Sequence, residues 1–259
     1  MDSETEKRLH RLADASGAAI MPFFRAGYST SDKGNPGWFD PVTEADHAAE
    51  RAIRDLLRAE CPRDGIVGEE FGVHDGTSGR RWIVDPIDGT RSFLAGVPLF
   101  GTIIGLAEGD RAIAGLFDQP FTAERFFGDG GSSFWTRGGQ RAALKTRDTA
   151  SLADALLMTT SPKLFKGAEA EAYERVESAV RLARYGADGY AYALLAAGQI
   201  DVIVENGLQT YDIAGLIPVI EGAGGIVTTW EGGNALSGGR ILAAANPAIH
   251  EAAMGLLGV

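Results

Sequence analysis

Residues Arg81–Phe93 read RWIVDPIDGTRSF. Trp82, Ile83 and Val84 form a strand-like apolar run that delivers the chain to two aspartates, Asp85 and Asp88, with Pro86 and Ile87 between them. Gly89 and Thr90 follow at once. Two readings fit the residues. In the first, this is a strand-to-turn junction: proline favours a turn position, aspartate accepts local N–H bonds and glycine supplies unusual backbone angles. In the second, Pro86 restricts the backbone so that both carboxylates converge on one point, where a hard divalent cation would find its preferred oxygen ligands. If Gly89–Thr90 opens a helix, its unpaired N–H groups would face an anion.

The rest of the chain narrows the setting. Its 259 residues suffice for one large domain or two modest ones, and 45% apolar content argues against disorder. The net charge of −11 disfavours nucleic acid, whose phosphates seek basic surfaces. An acidic protein can bind a phosphorylated molecule when cations or backbone N–H groups supply the positive field. Cys61 is the single cysteine, which excludes an intramolecular disulfide and a multi-cysteine zinc site and fits a reducing compartment. The N-terminal stretch lacks the basic-then-apolar order of a signal peptide, and no apolar run is long enough to span a bilayer, so a cytoplasmic protein without membrane contact is expected.

Periodicity supplies a coarse map. Leu9, Leu12, Ala13, Ser16 and Ile20 recur at helical spacing, and a Gly/Pro/Asp-rich loop is expected over Ser31–Pro41. A second helix is expected after Thr43, with Asp46 placed for a capping box. Strand-like runs with regular turn signals follow Phe93 and suggest an antiparallel sheet. Farther on, 154–161 reads as a strand, 168–184 and 189–199 as helices, 200–205 as a strand and 212–225 as a helix ending in glycines; 225–232 and 241–246 close the chain as strands. This mixture indicates an α/β or α+β layered fold. The expected organisation is one compact catalytic unit over 1–259, with subdomains 1–145 (N-terminal helices plus antiparallel sheet) and 146–259 (α/β).

Other carboxylates stand near the opening stretch. Glu69 and Glu70 form a GEE triplet, of which one could be a ligand and the other stand behind it or on the surface. Asp212 and Asp46 each have a helix-capping reading, and Glu221 reads as a polar helix-face residue near a glycine cap. His10, His47, His74 and His250 are scattered and read as surface or incidental groups.

Taken together, WIVDPIDGTRSF, DPVTEAD (40–46), VGEEFG (67–72) and YDIAGLIPVIEGAGG (211–225) resemble, in order, the motifs of the inositol monophosphatase family of metal-dependent phosphomonoesterases. The resemblance runs roughly from Asp40 to Thr228. It implies a layered αβαβα sandwich of the inositol monophosphatase and fructose-1,6-bisphosphatase type, magnesium dependence, a small phosphorylated substrate and a homodimer. It further implies that Glu69, Asp85, Asp88 and Asp212, with the main-chain carbonyl of Ile87, hold Mg2+. Thr90 and Glu69 would orient the attacking water, the N–H groups of Gly89 and Thr90 would hold phosphate, and Thr43 and Asp46 would stand behind the water or a weaker metal. Glu205, seven residues before Asp212, falls where the family contacts the alcohol side of its substrate, and Asp188 falls near the same wall. Tyr211 replaces a tryptophan common in the family. The segments TTSP (159–162), DGYAY (188–192) and YDIA (211–214) are similar to the histidinol-phosphate branch; inositol-1-phosphate or a sugar bisphosphate is the alternative substrate, and a noncatalytic relative is the alternative class. Asp188 keeps a second reading, as the N-cap of the following helix.

Overall fold

Leu9, Leu12, Ala13 and Ile20 share one buried face of an 18-residue helix, α1 (Ser3–Ile20), whose first turn is capped by the Asp2 carboxylate. A computed structural model describes residues 1–26, 30–32 and 41–258, with 30–32, 41 and 42 as backbone; most of the loop expected over Ser31–Pro41 lies outside the described residues. Short strands β1 (Thr30–Asp32) and β2 (Pro41–Thr43) pair antiparallel and lead into α2 (Glu44–Glu60). The capping box is present: Thr43 accepts from the Ala45 and Asp46 N–H groups while the Asp46 carboxylate accepts from Thr43 N.

Next come β3 (Gly65–Gly68), β4 (Gly72–His74), β5 (Arg80–Asp88), the short helix α3 (Thr90–Leu94), β6 (Gly101–Glu108), β7 (Arg111–Gln119), β8 (Glu124–Gly128), β9 (Ser133–Arg137) and β10 (Gln140–Ala143). They form one eight-stranded sheet in the order β10-β9-β8-β7-β6-β5-β3-β4. From β5 to β10 the pairing is antiparallel, as expected. The β3–β4 hairpin returns the chain to the starting end of β3, so β5 runs parallel to β3.

The second half contains β11 (Leu156–Thr159), α4 (Ala168–Ala179), β12 (Leu182–Tyr185), α5 (Asp188–Ala196), β13 (Val202–Leu208), α6 (Thr210–Ile213), α7 (Ile217–Gly222), β14 (Ile226–Thr229), β15 (Gly239–Ala244) and α8 (Pro247–Leu257). Its five-stranded sheet has the order β12-β11-β13-β15-β14.

Strand alternation sets the layers. Trp82, Val84, Ile104, Leu106 and Leu116 pack with Leu9, Leu12, Ile53 and Leu57 of α1 and α2, whereas their odd-numbered neighbours Ile83, Ile103 and Phe117 pack with α5 and α7. In the second sheet Ile203, Ile241 and Ala243 face the same middle layer, and Val202, Val204, Leu242 and Ala244 face α4 and α8. The result is the αβαβα sandwich that the motifs implied.

Three local expectations change. The helix expected over 168–184 stops at Ala179, and its last residues become β12, because β11 lacks a partner on that side and parallel pairing satisfies both backbones. The helix expected over 212–225 breaks into α6 and α7: Pro218 has no N–H for the turn before it, and the chain at Gly215 lies flat on the first sheet. The chain ends on a helix, α8, not on strands. Its signals stand in the sequence: Asn246 caps it, Pro247 opens it, Ile249, Ala253 and Leu257 form its buried face, and Gly258 ends it in the left-handed region.

At Gly215 the middle layer touches the first sheet without side chains between. A Cβ on Gly115 would lie 2.0 Å from the Gly215 carbonyl oxygen, and one on Gly105 would lie 2.8 Å from Gly215 N. Gly115→Ala is therefore expected to lower unfolding stability by about 3 kcal/mol, the upper end of overpacking costs, because the obstacle is main chain. Urea unfolding measures this; a loss below about 0.5 kcal/mol, the level of neutral surface changes, would show that the layers can part without cost.

Candidate active site

Residues three apart in a regular strand point to opposite faces, so Asp85 and Asp88 should diverge. They do not, because β5 carries a bulge: Asp85 pairs with Ile103 and Asp88 with Gly101, one residue more on β5 than on β6. The extra residue restores both aspartates to the same face of the sheet. Pro86 tolerates the bulge because it needs no ladder N–H. Its carbonyl accepts from Thr102, whose hydroxyl also bonds Ser16 of α1. Of the two openings weighed for this stretch, turn and converging carboxylates, the structure contains both in one device.

Gly89 then turns the chain at φ +81, where a Cβ would stand 2.7 Å from the Leu99 carbonyl oxygen. It caps α3, so the Gly89 and Thr90 N–H groups lie at the start of a helical turn. The Thr90 hydroxyl donates to the Ile87 carbonyl at 3.0 Å.

Asp212 reaches this face from the second half of the chain. Its capping reading holds in modified form: it is the third residue of α6, and its Oδ2 accepts from Gln209 N at 2.6 Å. Asp85, Asp88 and Asp212 each offer a carboxylate oxygen, all within 4.8 Å of one another. Glu69, whose N–H is bonded to Val84 O at 3.2 Å, stands beside Asp85 and helps raise its pKa. Asp88 Oδ2 accepts from Gly189 N at 2.6 Å, an approach that leaves no room for a side chain at 189.

This crowding governs the electrostatics. Burial, then the charges of Glu69, Asp88 and Asp212, push the Asp85 pKa well above the usual carboxylate range. Burial, then Asp188 and Asp212, does the same to Asp88. Asp85 Oδ1 is buried and has no hydrogen-bond partner among the described residues. An orphaned carboxylate oxygen amid like charges is costly unless a cation accepts it. The oxygen-only donor set fits a hard divalent ion.

Around this centre stand the other expected residues. Asp46 is 1% exposed and raised to about 7, chiefly by burial, against the hydrogen bonds from Thr43. Glu70 is buried, 3.5 Å from His47 Nε2. Asp188 is not an N-cap. Ala187 occupies that position at φ +74 and Asp188 follows at φ +44, two non-glycine residues held in the left-handed region. Asp188 is partly buried, which raises its pKa, with Arg91 and the Thr160 hydroxyl as its favourable neighbours. Glu205 is 1% exposed, which excludes a solvent-facing strand end. It accepts from Thr160 N at 2.6 Å through Oε1; its Oε2 has no partner among the described residues, and burial pushes its pKa up to about 8.

Some participants went unassigned in the sequence. Thr160, within the quoted TTSP, connects Asp188 and Glu205. Tyr192, on the next turn of α5 after Asp188, is buried near Glu205, Asp212 and Asp88, and its hydroxyl has no hydrogen-bond partner among the described residues. Its signal was the four-residue spacing from Asp188. Two histidines depart from the surface reading: His250 is 8% exposed and pairs with Thr228 Oγ1 at 2.8 Å, and His10 packs edge-on against Phe127 beside Arg125. Both do structural work remote from the acidic cluster.

Raised carboxylates make stability pH-dependent in a definite direction. Glu205 keeps its proton in the folded chain up to about pH 8, whereas the unfolded chain releases it near the ordinary value of 4.5. Stability from this group is complete below that value and is lost as pH rises toward 8; Asp46 behaves alike over 3.8 to about 7. In chelator, unfolding free energy should fall between pH 5.5 and 7.5. Glu205→Gln should flatten that fall by about 1 kcal/mol per pH unit. Equal slopes in parent and variant would place the Glu205 pKa in the ordinary range.

Comparison with known proteins follows the same line. The sequence model of the inositol monophosphatase family matches residues 1–257. The chain is 44% identical over 223 residues to the bifunctional phosphatase IMPL2, chloroplastic, of Arabidopsis thaliana, covering 85% of this chain and 63% of that protein, so it spans less than two thirds of that relative's length. It is 34% identical over 239 residues to a histidinol-phosphatase of Chlorobaculum parvum, covering 92% and 90% of the two chains. The solved structure of an inositol monophosphatase from Zymomonas mobilis superposes with a TM-score of 0.87 at 37% identity, covering 100% of both chains. No helix among the described residues is long and apolar enough to cross a membrane. On fold, motif order and matched length, the chain belongs to the inositol monophosphatase family of metal-dependent phosphomonoesterases.

Proposed function

We propose that this protein hydrolyses histidinol phosphate to histidinol and phosphate, using magnesium-activated water. Glu69, Asp85, Asp88, Asp212 and the Ile87 carbonyl are the proposed Mg2+ ligands; the cations would lower the pKa of the attacking water and stabilise the leaving oxygen. The chain's own groups do the rest. Thr90 and Glu69 aim the water, the Gly89 and Thr90 N–H groups hold phosphate, and Thr43 with Asp46 supports the water from α2. Asp188 and Glu205 form the wall that meets the alcohol portion. The active unit on this reading is a cytoplasmic homodimer of the whole 1–259 chain, whose halves, 1–145 and 146–259, both supply the site.

The observation that carries the substrate assignment is the acidic wall. Glu205 presents a buried oxygen with no partner among the described residues, and the charged neighbour that raises its pKa further is Asp188, of like sign. Such a wall suits an ammonium or imidazolium group, whose positive charge would lower the raised Glu205 pKa and ionise it on binding: a charge-assisted hydrogen bond then contributes roughly 1.5–3 kcal/mol, whereas a polyol hydroxyl gains less. The histidinol-phosphatase relative supports the same choice. The full-length match to an inositol monophosphatase structure favours a second reading, inositol-1-phosphate. Rates measured in parallel on histidinol phosphate, inositol-1-phosphate and fructose-1,6-bisphosphate decide between them, and equal absence of hydrolysis with magnesium would indicate a noncatalytic relative.

Asp88→Asn keeps the shape that accepts Gly189 N but removes charge. Its turnover should fall at least about a thousandfold, since several kcal/mol of charge stabilisation are at stake. Its melting temperature in chelator should equal or exceed the parent's, because one like charge is gone. Full activity of this variant, or of the parent in excess chelator, contradicts the metal reading.

Asp188→Asn tests specificity without disturbing the backbone, since asparagine tolerates the left-handed angle at 188. kcat/KM for histidinol phosphate should drop about tenfold or more, one decade per 1.4 kcal/mol, with much less change on a small neutral phosphomonoester. Equal loss on both substrates, or none on either, removes the specificity claim and leaves the metal site standing.

A further inference from the structure

Asp46, Glu50 and Arg54 recur every four residues along α2 and are at most 3% exposed. The first belongs to the site already described. The other two form a buried ion pair, Arg54 Nε donating to Glu50 Oε1 at 2.7 Å, with no place among the proposed ligands. Charges so fully buried are costly unless every polar atom is used, and here they are used on one object: the turn that carries Glu69.

Glu50 Oε2 accepts from Glu70 N at 2.7 Å, and Oε1 accepts from Phe71 N at 3.2 Å. Arg54 Nη2 donates to the Gly72 carbonyl. The Phe71 ring lies over the Arg54 guanidinium at 5.9 Å. A Cβ on Gly68 would stand 1.9 Å from Glu50 Oε1, so the carboxylate fills the space directly beneath the strand end. Glu69 N is held by Val84 O of β5. Every residue from 68 to 72 is thus fixed either by β5 or by this pair.

We propose that Glu50 and Arg54 are positioning residues for Glu69: they clamp the 68–72 turn so that the Glu69 carboxylate meets Asp85 at the geometry a cation requires. This rests on the proposed role of Glu69 as a ligand. A pair that served the fold alone would stabilise the turn without tuning the site.

Glu50→Gln is isosteric, but in either orientation its amide N–H groups would face a donor, the Glu70 N–H on one side or the Phe71 N–H and Arg54 guanidinium on the other. Partners that orient ligands in this way commonly change metal affinity or activity by about 10–100-fold. The expected result is a fall in kcat of about tenfold or more, KM for the phosphomonoester within about twofold, and magnesium binding by calorimetry, without substrate, weakened by about tenfold. In a Glu69→Gln background the same substitution should change the residual rate and magnesium affinity less than about twofold, because a residue acting through Glu69 has nothing left to position. Loss by the same factor in both backgrounds, or unchanged magnesium affinity in Glu50→Gln, overturns the proposal. If Glu50→Gln yields no folded protein, Arg54→Lys, which reaches the carboxylate or the Gly72 carbonyl but not both, takes its place in both backgrounds, and the same results support or overturn the proposal. A Glu69→Gln protein with near-parental rate and magnesium affinity would instead overturn the ligand role of Glu69 itself.

Discussion

The close approach of Gly215 to Gly105 and Gly115 is the constraint on which the rest depends. Two sheets separated by helices normally stand apart by the width of side chains. Here, at one point, backbone rests on backbone. Because Gly215 lies three residues after Asp212, that contact sets how far Asp212 extends toward the β5 bulge. A chain that relaxed the contact would keep its two sheets and lose the convergence of Asp85, Asp88 and Asp212. The Pro218 interruption belongs to the same device: an unbroken helix from 212 to 222 could not lie flat on the sheet at its second turn.

The acidic cluster shows the opposing side of the design. Asp85, Asp88, Asp188 and Glu205 are all raised above the usual carboxylate range, with burial the first cause in each. Packing of this kind costs stability in the metal-free chain and is recovered when a cation binds only the folded state. The surrounding structure supplies rigidity against that repulsion. Gly189 N holds Asp88, Gln209 N holds Asp212, Thr160 N holds Glu205 and Thr43 holds Asp46. These four carboxylates are each anchored through one oxygen by a backbone N–H, a bond that constrains direction while adding no charge. The left-handed pair Ala187–Asp188 fits this pattern, since strained backbone persists only where neighbours over-determine it.

Much of this was legible in the residues because its causes are local. The Pro between two aspartates, the Gly after them, the Thr43–Asp46 box and the strand-like run 82–84 depend on short-range geometry, and the structure realises them with little change. The ordered motifs added the layered fold and the family. His10, His250, the end of α4 at Ala179 and the split between α6 and α7 depart from the local reading for a common reason: each is decided by what packs against the segment, which periodicity does not contain. The omission of α8 was different, since Asn246, Pro247 and Gly258 marked it.

The sequence by itself determined the local devices: the carboxylates in their ordered motifs, the proline and glycine around Asp85 and Asp88, and the Thr43–Asp46 cap. Tertiary structure alone decided what the ambiguous ones do. Asp188 could have capped α5 and Glu205 could have faced water; instead Asp188 is partly buried and Glu205 wholly so, because the end of β11 brings Thr160 between them and α5 closes over β13. Glu50 and Arg54 could have been an ordinary i, i+4 surface pair, and became a buried clamp because the β3–β4 turn folds onto α2. The physical reason is the same in each case. Local geometry fixes where a side chain points, but whether a charge meets water, a backbone amide or another charge is set by chain segments tens of residues away.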